Sequence, residues 1–474
     1  MRRLGQLAGF MAIIILIFSQ LAFGVQYFES VQSYNVGSYP VGIAAADFNG
    51  DNDLDLVTAN NAGSNISVLL GNGDGTFGAA THYSTGSSQY PTYVRVGDMD
   101  KDGELDIVTG GSMGLVIFYG VGDGTFAAAD VYYFGEQVLD IVVADFDQDT
   151  YLDIATSHAV RDSVGVHINN HDSTYSSHFV ATGYGTGSLD AGYLDADNYV
   201  DLAVGCSDGT VWKMINDQAG SFTASNVHIG YLNDPMAVKI IDINGDQFDD
   251  FAVKHSISDM MFTIINNGDD TYSYGNIYVP GDYPSSMTVA DVNYDNKDDI
   301  LVAINTTEEI KLYLGQGNGT FTYDSAYTIT GEPKEMIFVD VNGDNYNDLV
   351  VPSYNTDDAC VMLSRLSLVL SVDEIDNNGL LPDNFSLAQN YPNPFNPETK
   401  IRFSLPTASE VKIEVFNMLG QSVVVLVDEH LSAGLKEVSW NGVNRSGQKV
   451  ASGTYLYRIT TDQFVDTKKM VLMK

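Results

Sequence analysis

The sequence predicts an all-β protein, a seven-bladed β-propeller followed by a C-terminal immunoglobulin-like β-sandwich. Three observations carry this. One aspartate-rich unit recurs seven times, each copy has the patterning of four short strands, and helical periodicity is hard to find after the first thirty residues. The 474 residues exceed what one core usually organises, so at least two units are expected. Aromatics at 11% and 45 glycines suit many short strands joined by tight turns.

Residues 1–24 read as a secretory signal. Arg2 and Arg3 give a positive start, an apolar run lies within Phe10–Phe18, and Ala22-Phe23-Gly24 offers a small-x-small cleavage site. The apolar run is too short for a good membrane span, and no cysteine follows it to carry a lipid. The mature chain is therefore expected to be exported, monomeric and without a transmembrane span. Cys206 and Cys360 make no disulfide framework and read as small buried residues.

The repeats begin at residues 47, 98, 145, 193, 242, 291 and 340, separated by 51, 47, 48, 49, 49 and 49 residues. In each, a short apolar strand such as Val41–Ala45 or Ile141–Ala144 enters the aspartate loop, and a second strand such as Leu54–Ala59 leaves it. A polar turn leads to a third strand, as in Ser67–Leu70, Leu115–Tyr119 or Ile310–Leu314. A glycine-rich turn ending in an aromatic follows, at 71–77, 120–126 and 315–321, with weaker forms at 169–175, 216–222 and 266–272. A fourth strand closes the unit. Four strands in just under fifty residues make one propeller blade. The seventh unit stops near Ser364 without its glycine turn and aromatic, whereas Phe28–Tyr34 has the spacing of Phe77–Tyr83. The segment Tyr27–Val36 is thus expected to complete the last blade and close the ring, leaving no open sheet edge at the seam.

The loops repeat Asp-x-Asn/Asp-x-Asp-x-x-x-Asp. Their first, third, fifth and ninth positions are Asp47, Asn49, Asp51 and Asp55; Asp98, Asp100, Asp102 and Asp106; and Asp145, Asp147, Asp149 and Asp153 in the first three. The last three have Asp242, Asn244, Asp246 and Asp250; Asp291, Asn293, Asp295 and Asp299; and Asp340, Asn342, Asp344 and Asp348. The fourth keeps Asp195, Asp197 and Asp201 but starts with Tyr193. Alternate residues of an extended turn converge on one side, and carboxylates so clustered repel without a cation. All-oxygen donors at this density suit Ca²⁺, with a backbone carbonyl at position seven and water completing the shell. Magnesium tolerates such a cage less well, and zinc prefers nitrogen or sulfur. The expectation is about six calcium ions, one per intact loop, set against the plain alternative of Asp/Asn-rich turns.

Residues 25–382 carry 53 acidic against 10 basic side chains, a balance of −43, while 383–474 carry nine and ten. Such a surface repels phosphate backbones, so nucleic acid is excluded as a partner.

Loop, glycine turn and aromatic together resemble the FG-GAP (VCBS) repeat family, best known from the integrin α-subunit propellers, over 25–366. The resemblance implies calcium at the loops joining first and second strands, on one face of the disc, and ligands on the opposite face. There the connections between blades carry Tyr39, Tyr90, Tyr184, Tyr231 and Tyr283, platforms that can stack on sugar rings or pack beside the channel.

Residues 367–382 read as a linker. After it, strands are expected at Lys400–Ser404, Val411–Phe416, Val423–Val427, Leu435–Trp440, Gly453–Thr460 and Lys468–Met473, a small cysteine-free sandwich. The runs Tyr391-Pro392-Asn393-Pro394-Phe395-Asn396-Pro397, Asn417-Met418-Leu419-Gly420-Gln421 and Ala451-Ser452-Gly453-Thr454-Tyr455 resemble the C-terminal sorting domain of the type IX secretion system, over 383–474. That resemblance implies export past the outer membrane of a Gram-negative-type bacterium, with secretion machinery as the tail's partner. The tail would afterwards be cut or kept.

No catalytic motif appears, and the eight histidines are scattered. The reading is a binding or adhesion module for a glycan or protein. A polysaccharide-degrading enzyme is the alternative, for which Arg161, Lys254, His158 and His255 are the visible candidates.

Overall fold

The computed structural model describes residues 27–87, 89–195, 197–227, 235–246, 248–255, 257–269, 271–366, 385–387, 390, 399–417, 421–432, 434–445, 448–450 and 452–472. The expected signal (1–24), linker (367–382), the proline-rich run at 391–397 and Tyr231 lie outside the described residues. The chain divides after Ser364 into two units. Among the described residues no helix is long and apolar enough to cross a membrane.

The first unit is a ring of seven four-stranded antiparallel sheets. The second strands are its spine: Asp55–Asn60, Asp106–Gly111, Asp153–His158, Asp201–Cys206, Asp250–His255, Asp299–Ile304 and Asp348–Ser353 are buried at every residue. Both faces of such a strand pack against neighbouring blades, so it reads as a continuous apolar run rather than an alternation. Fourth strands such as Thr81–Ser84 and Tyr175–Ala181 are largely exposed, as outer edges are.

The core lies between blades. One cluster joins Val57, Ile66 and Val68 of the first blade to Val94, Ile107 and Phe118 of the second. Other clusters join the third to the fourth, the fourth to the fifth and the seventh to the first. First strands open on Pro40, Pro235 and Pro284, and the pairing slips by one residue just after each. Proline is tolerated there because the strand edge facing the axis has no ladder partner. At Gly42 the second blade comes so close that a Cβ would meet the Thr92 carbonyl at 2.6 Å.

The ring closes with N-terminal residues in the last blade. The pairing strand is Gln32–Asn35, shorter than Tyr27–Val36, and it runs against Asp358–Met362 with Ser33 opposite Cys360. Phe28 forms an isolated bridge to Ser364, as Phe77 does to Gly71 and Phe126 to Gly120. The missing aromatic of the seventh unit is thus supplied by Phe28, buried edge-on against Tyr327 at 5.1 Å.

The second unit is a two-sheet sandwich. One sheet holds Ser386–Leu387, Thr399–Leu405 and Gly434–Trp440; the other holds Ser422–Leu431, Ser409–Asn417, Gly453–Thr460 and Val465–Leu472. Phe403, Ile413, Trp440 and Tyr457 fill the space between them. The Tyr457 hydroxyl accepts the Asn390 N–H at 2.8 Å, which satisfies that buried phenol.

Candidate metal centre and ligand face

Each aspartate loop joins the first strand of a blade to the second, and its side chains organise its own backbone. In the first loop Asp47 Oδ1 accepts the Gly50 N–H at 2.8 Å and Oδ2 accepts the Asn52 N–H at 2.8 Å. Asn49 Oδ1 accepts from Asp51 at 2.9 Å, and Asp51 Oδ1 accepts from Asp53 at 2.9 Å. The first-position carboxylate binds the fifth-position N–H in the second, third, fifth, sixth and seventh loops too. The fourth position is left-handed in all six intact loops, at Gly50, Lys101, Gln148, Tyr294, Gly245 and Gly343. Residues with a Cβ accept that conformation only where surrounding bonds over-determine it.

The curl brings the oxygens together. One ligand atom each from Asp98, Asp100 and Asp106 lies within 4.8 Å of the others, as is true of Asp145, Asp147 and Asp149. These are hard oxygen donors, close enough together that they could share a cation. The fourth loop keeps the bonds of Asp195 and Asp197 to the residues two further on, but Tyr193 removes the carboxylate that ties the other loops together.

The ninth position has a role the sequence did not reveal. Asp55 Oδ2 accepts the Phe48 N–H at 2.9 Å and Oδ1 accepts the Gly71 N–H at 2.8 Å. The same pair of bonds recurs at Asp106, Asp153, Asp201, Asp250, Asp299 and Asp348. The carboxylate therefore pins the loop entrance to the end of the third strand in all seven blades, with or without the first-position aspartate. The only sequence signal was its survival as Asp201 in the degenerate loop. Burial raises Asp106, Asp201 and Asp299 to about 6 and Asp153, Asp250 and Asp348 to about 7, with the loop's other carboxylates adding to the shift.

The loops are also joints between blades. Position-two carbonyls accept from the next blade's glycine turn: Phe48 from the Gly124 N–H at 2.9 Å, Met99 from Asn169 Nδ2 at 2.8 Å and Phe146 from Asn216 Nδ2 at 2.7 Å. In the third loop His171 pairs with Asp149 and stacks on Tyr151 at 4.0 Å.

On the opposite face four of the five tyrosines are described, and all are exposed: Tyr39 by 42%, Tyr90 by 45%, Tyr184 by 70% and Tyr283 by 61%. The Tyr39 ring leans on Tyr354, with centroids 4.6 Å apart. Tyr39, Tyr90 and Tyr283 are left-handed, each directly before a proline. The Tyr39 N–H donates to Asp357 at 2.8 Å and its carbonyl accepts from Asn61 at 2.9 Å; the Tyr283 N–H donates to Asp259 at 2.8 Å and its carbonyl accepts from Asn305 at 3.3 Å. Each ring is thus held out by a clamp between the turns of two neighbouring blades. The Tyr184 N–H uses Asp208 at 3.0 Å. These acids were not singled out from sequence; the signal was an aspartate recurring just ahead of a third strand.

A cavity of about 110 Å³ lies on the axis, lined by Arg95, Asp140, Lys239, Lys334 and Glu335 among others. Carboxylates there stand in for missing strand partners: Asp140 accepts the Leu189 N–H and Asp190 the Ile240 N–H. The residues considered for catalysis fall into two blades. His158 is buried beside Thr156, and Arg161 pairs with Glu136 over the Phe179 ring. Lys254 donates to the carbonyls of Pro284 and Ser285, and His255 packs on Phe262. Burial, with Arg161 nearby, lowers His158 to about 4, which keeps it neutral.

Comparison with known proteins places four FG-GAP-like repeat matches on the ring, at 47–109, 102–156, 193–253 and 291–351. A FlgD Ig-like domain matches 392–463. Among solved structures the chain is similar to an Agrocybe aegerita lectin that recognises non-reducing terminal N-acetylglucosamine, at 17% identity and TM-score 0.47, over 64% of this chain and 90% of the lectin. It is also similar to PorZ, a surface component of the type IX secretion system of Porphyromonas gingivalis, at 15% identity and TM-score 0.45, over 92% of this chain and 59% of PorZ. No curated protein matches the sequence.

Proposed function

We propose that this chain is an exported calcium-binding propeller that acts as a recognition module on or outside the cell, with carbohydrate as the ligand class. The observation that carries the reading is the set of exposed tyrosines on the face away from the aspartate loops, Tyr39 and Tyr283 among them clamped through their backbone. Rigid aromatic platforms lose little conformational freedom on binding, and sugar rings present the apolar C–H faces that stack on them. Backbone strain held by dedicated acids at two of these positions, Tyr39 and Tyr283, is the kind of feature that marks a working surface.

Calcium has the scaffold role in this reading. Ions held by Asp47, Asn49 and Asp51 and their counterparts would neutralise loops that otherwise repel, and so tighten the joints between blades. Six divalent ions would bring the formal charge from −40 to −28. The sandwich would serve as a type IX sorting domain, which its motifs support. A glycan array scored both for binding and for release of reducing ends tests the whole. Binding without turnover is expected; turnover would replace the module with a polysaccharide-degrading enzyme, and neither would remove carbohydrate.

A further inference from the structure

Four of the six intact aspartate loops have asparagine at position three, and in three of these the next residue is glycine: Asn49-Gly50, Asn244-Gly245 and Asn342-Gly343. The first and fifth loops surround this pair with the same three contacts. The Gly50 N–H donates to Asp47 Oδ1 at 2.8 Å, the Asp51 N–H donates to Asn49 Oδ1 at 2.9 Å, and Asn49 Nδ2 donates to Asp51 Oδ2 at 2.9 Å. In the fifth loop the Gly245 N–H donates to Asp242 Oδ1 at 2.8 Å, the Asp246 N–H to Asn244 Oδ1 at 2.9 Å, and Asn244 Nδ2 to Asp246 Oδ2 at 2.9 Å. A Cβ placed on Gly50 would meet nothing within 4 Å, and one on Gly245 only the Gly317 carbonyl at 3.9 Å.

We propose that Asn49 and Asn244 are sites of enzyme-free deamidation, a chemical modification the loops themselves promote. The nucleophile is the glycine backbone nitrogen. The first-position carboxylate, already bonded to its hydrogen, takes that proton as general base, and the nitrogen forms a bond to Asn Cγ. The fifth-position N–H on Oδ1 steadies the negative charge that develops on the amide oxygen. The Cγ–Nδ2 bond breaks and ammonia leaves with the transferred proton, giving a five-membered imide. Water then opens the imide at one of its two C–N bonds, leaving ordinary aspartate or its β-linked isomer. The net change is loss of ammonia and gain of water. Ordinary aspartate converts the loop to the Asp-x-Asp-x-Asp pattern already present at Asp98–Asp102 and Asp145–Asp149; the β-linked product lengthens the backbone and breaks the loop's internal bonds.

The same chain carries its own controls. At Asn267-Gly268 the glycine N–H donates to the neutral amide of Asn266, and at Asn318-Gly319 to the Ile243 carbonyl. Folded protein is incubated in EDTA below its calcium-free unfolding midpoint, with near-ultraviolet circular dichroism confirming the fold, and is mapped by peptide mass spectrometry over days. The chemistry does not depend on metal, so this result stands apart from the calcium reading. Deamidation at Asn49 and Asn244 is expected to outpace Asn267 and Asn318 by about a hundredfold, the lower end of what a positioned base contributes. Asp47→Asn should slow Asn49 about a hundredfold and leave Asn244 unchanged, with Asp242→Asn doing the reverse. Equal rates at all four sites, or an Asn49 rate indifferent to Asp47→Asn, overturns the proposal.

Discussion

The Arg95 guanidinium binds Glu335 at 2.9 Å across 240 residues of sequence, joining the second blade to the seventh, while its other nitrogen takes Asp140 of the third at 3.2 Å. Glu335 in turn accepts the Ile43 N–H of the first blade at 3.2 Å. One cation therefore ties together blades that share no sheet. Removing it would strand two mostly buried carboxylates. Arg95→Met should lower the stability of the ring by about 3 kcal/mol, read as a fall in the urea midpoint. A change within about 0.5 kcal/mol would mean the ion pairs are incidental.

Asp201 separates the two roles of the ninth position. It pins the Leu194 and Asn216 N–H groups at 2.8 Å in a loop whose first-position carboxylate is missing. Asp201→Ala leaves two buried donors unpaired and should cost about 3 kcal/mol in unfolding experiments. The calcium stoichiometry should not change. Loss of one ion from the count would show that the fourth loop binds after all.

The raised ninth-position carboxylates set the sign of the pH dependence. Their folded values of about 6 to 7 lie above the unfolded value near 4, so burial favours the protonated form. Their stabilising effect is full below about pH 4 and is lost as pH rises through 6 to 7. In EDTA the melting temperature of the ring should therefore climb as pH falls from 8 to 5. With calcium the dependence should reverse over the same window, because protons displace the ion. Parallel melting curves in EDTA and calcium at each pH check this; identical profiles would contradict it.

Tyr184 is the most exposed of the four described face tyrosines, at 70%, and its side chain supports little of the fold. Tyr184→Ala should leave the melting temperature within a degree or two and weaken carbohydrate binding about tenfold, the scale of one lost aromatic contact. Asp259→Ala, which frees the Tyr283 backbone, should weaken binding through loss of positioning alone. Unchanged affinity in both variants would move the ligand elsewhere.

Much of the ring was legible in the sequence because its signals repeat. The aspartate loop, the glycine turn and the aromatic at its end fixed seven blades, and Phe28 betrayed the seam by matching Phe77. Strand ends were off by a residue, as at Pro40–Ala46 and Asp55–Asn60, because a strand's limits depend on what its neighbour's backbone offers. The two hydrogen bonds that Asp55 accepts from Phe48 and Gly71 were hidden, since spacing alone cannot tell a ligand from an anchor. Arg95 and Glu335 were invisible for a different reason. Nothing local in either residue says that ring closure will bring them within 3 Å of each other.

Calcium titration of the ring tests the central claim most directly. Isothermal calorimetry on chelator-treated protein, read beside thermal unfolding in EDTA and in millimolar calcium, gives the number of ions and their effect together. About six ions are expected, one for each loop that keeps its first-position aspartate, with a rise in melting temperature of ten degrees or more. Asp98→Ala should remove one ion from the count. No heat of binding and an unchanged melting temperature would show that the loops are turns alone.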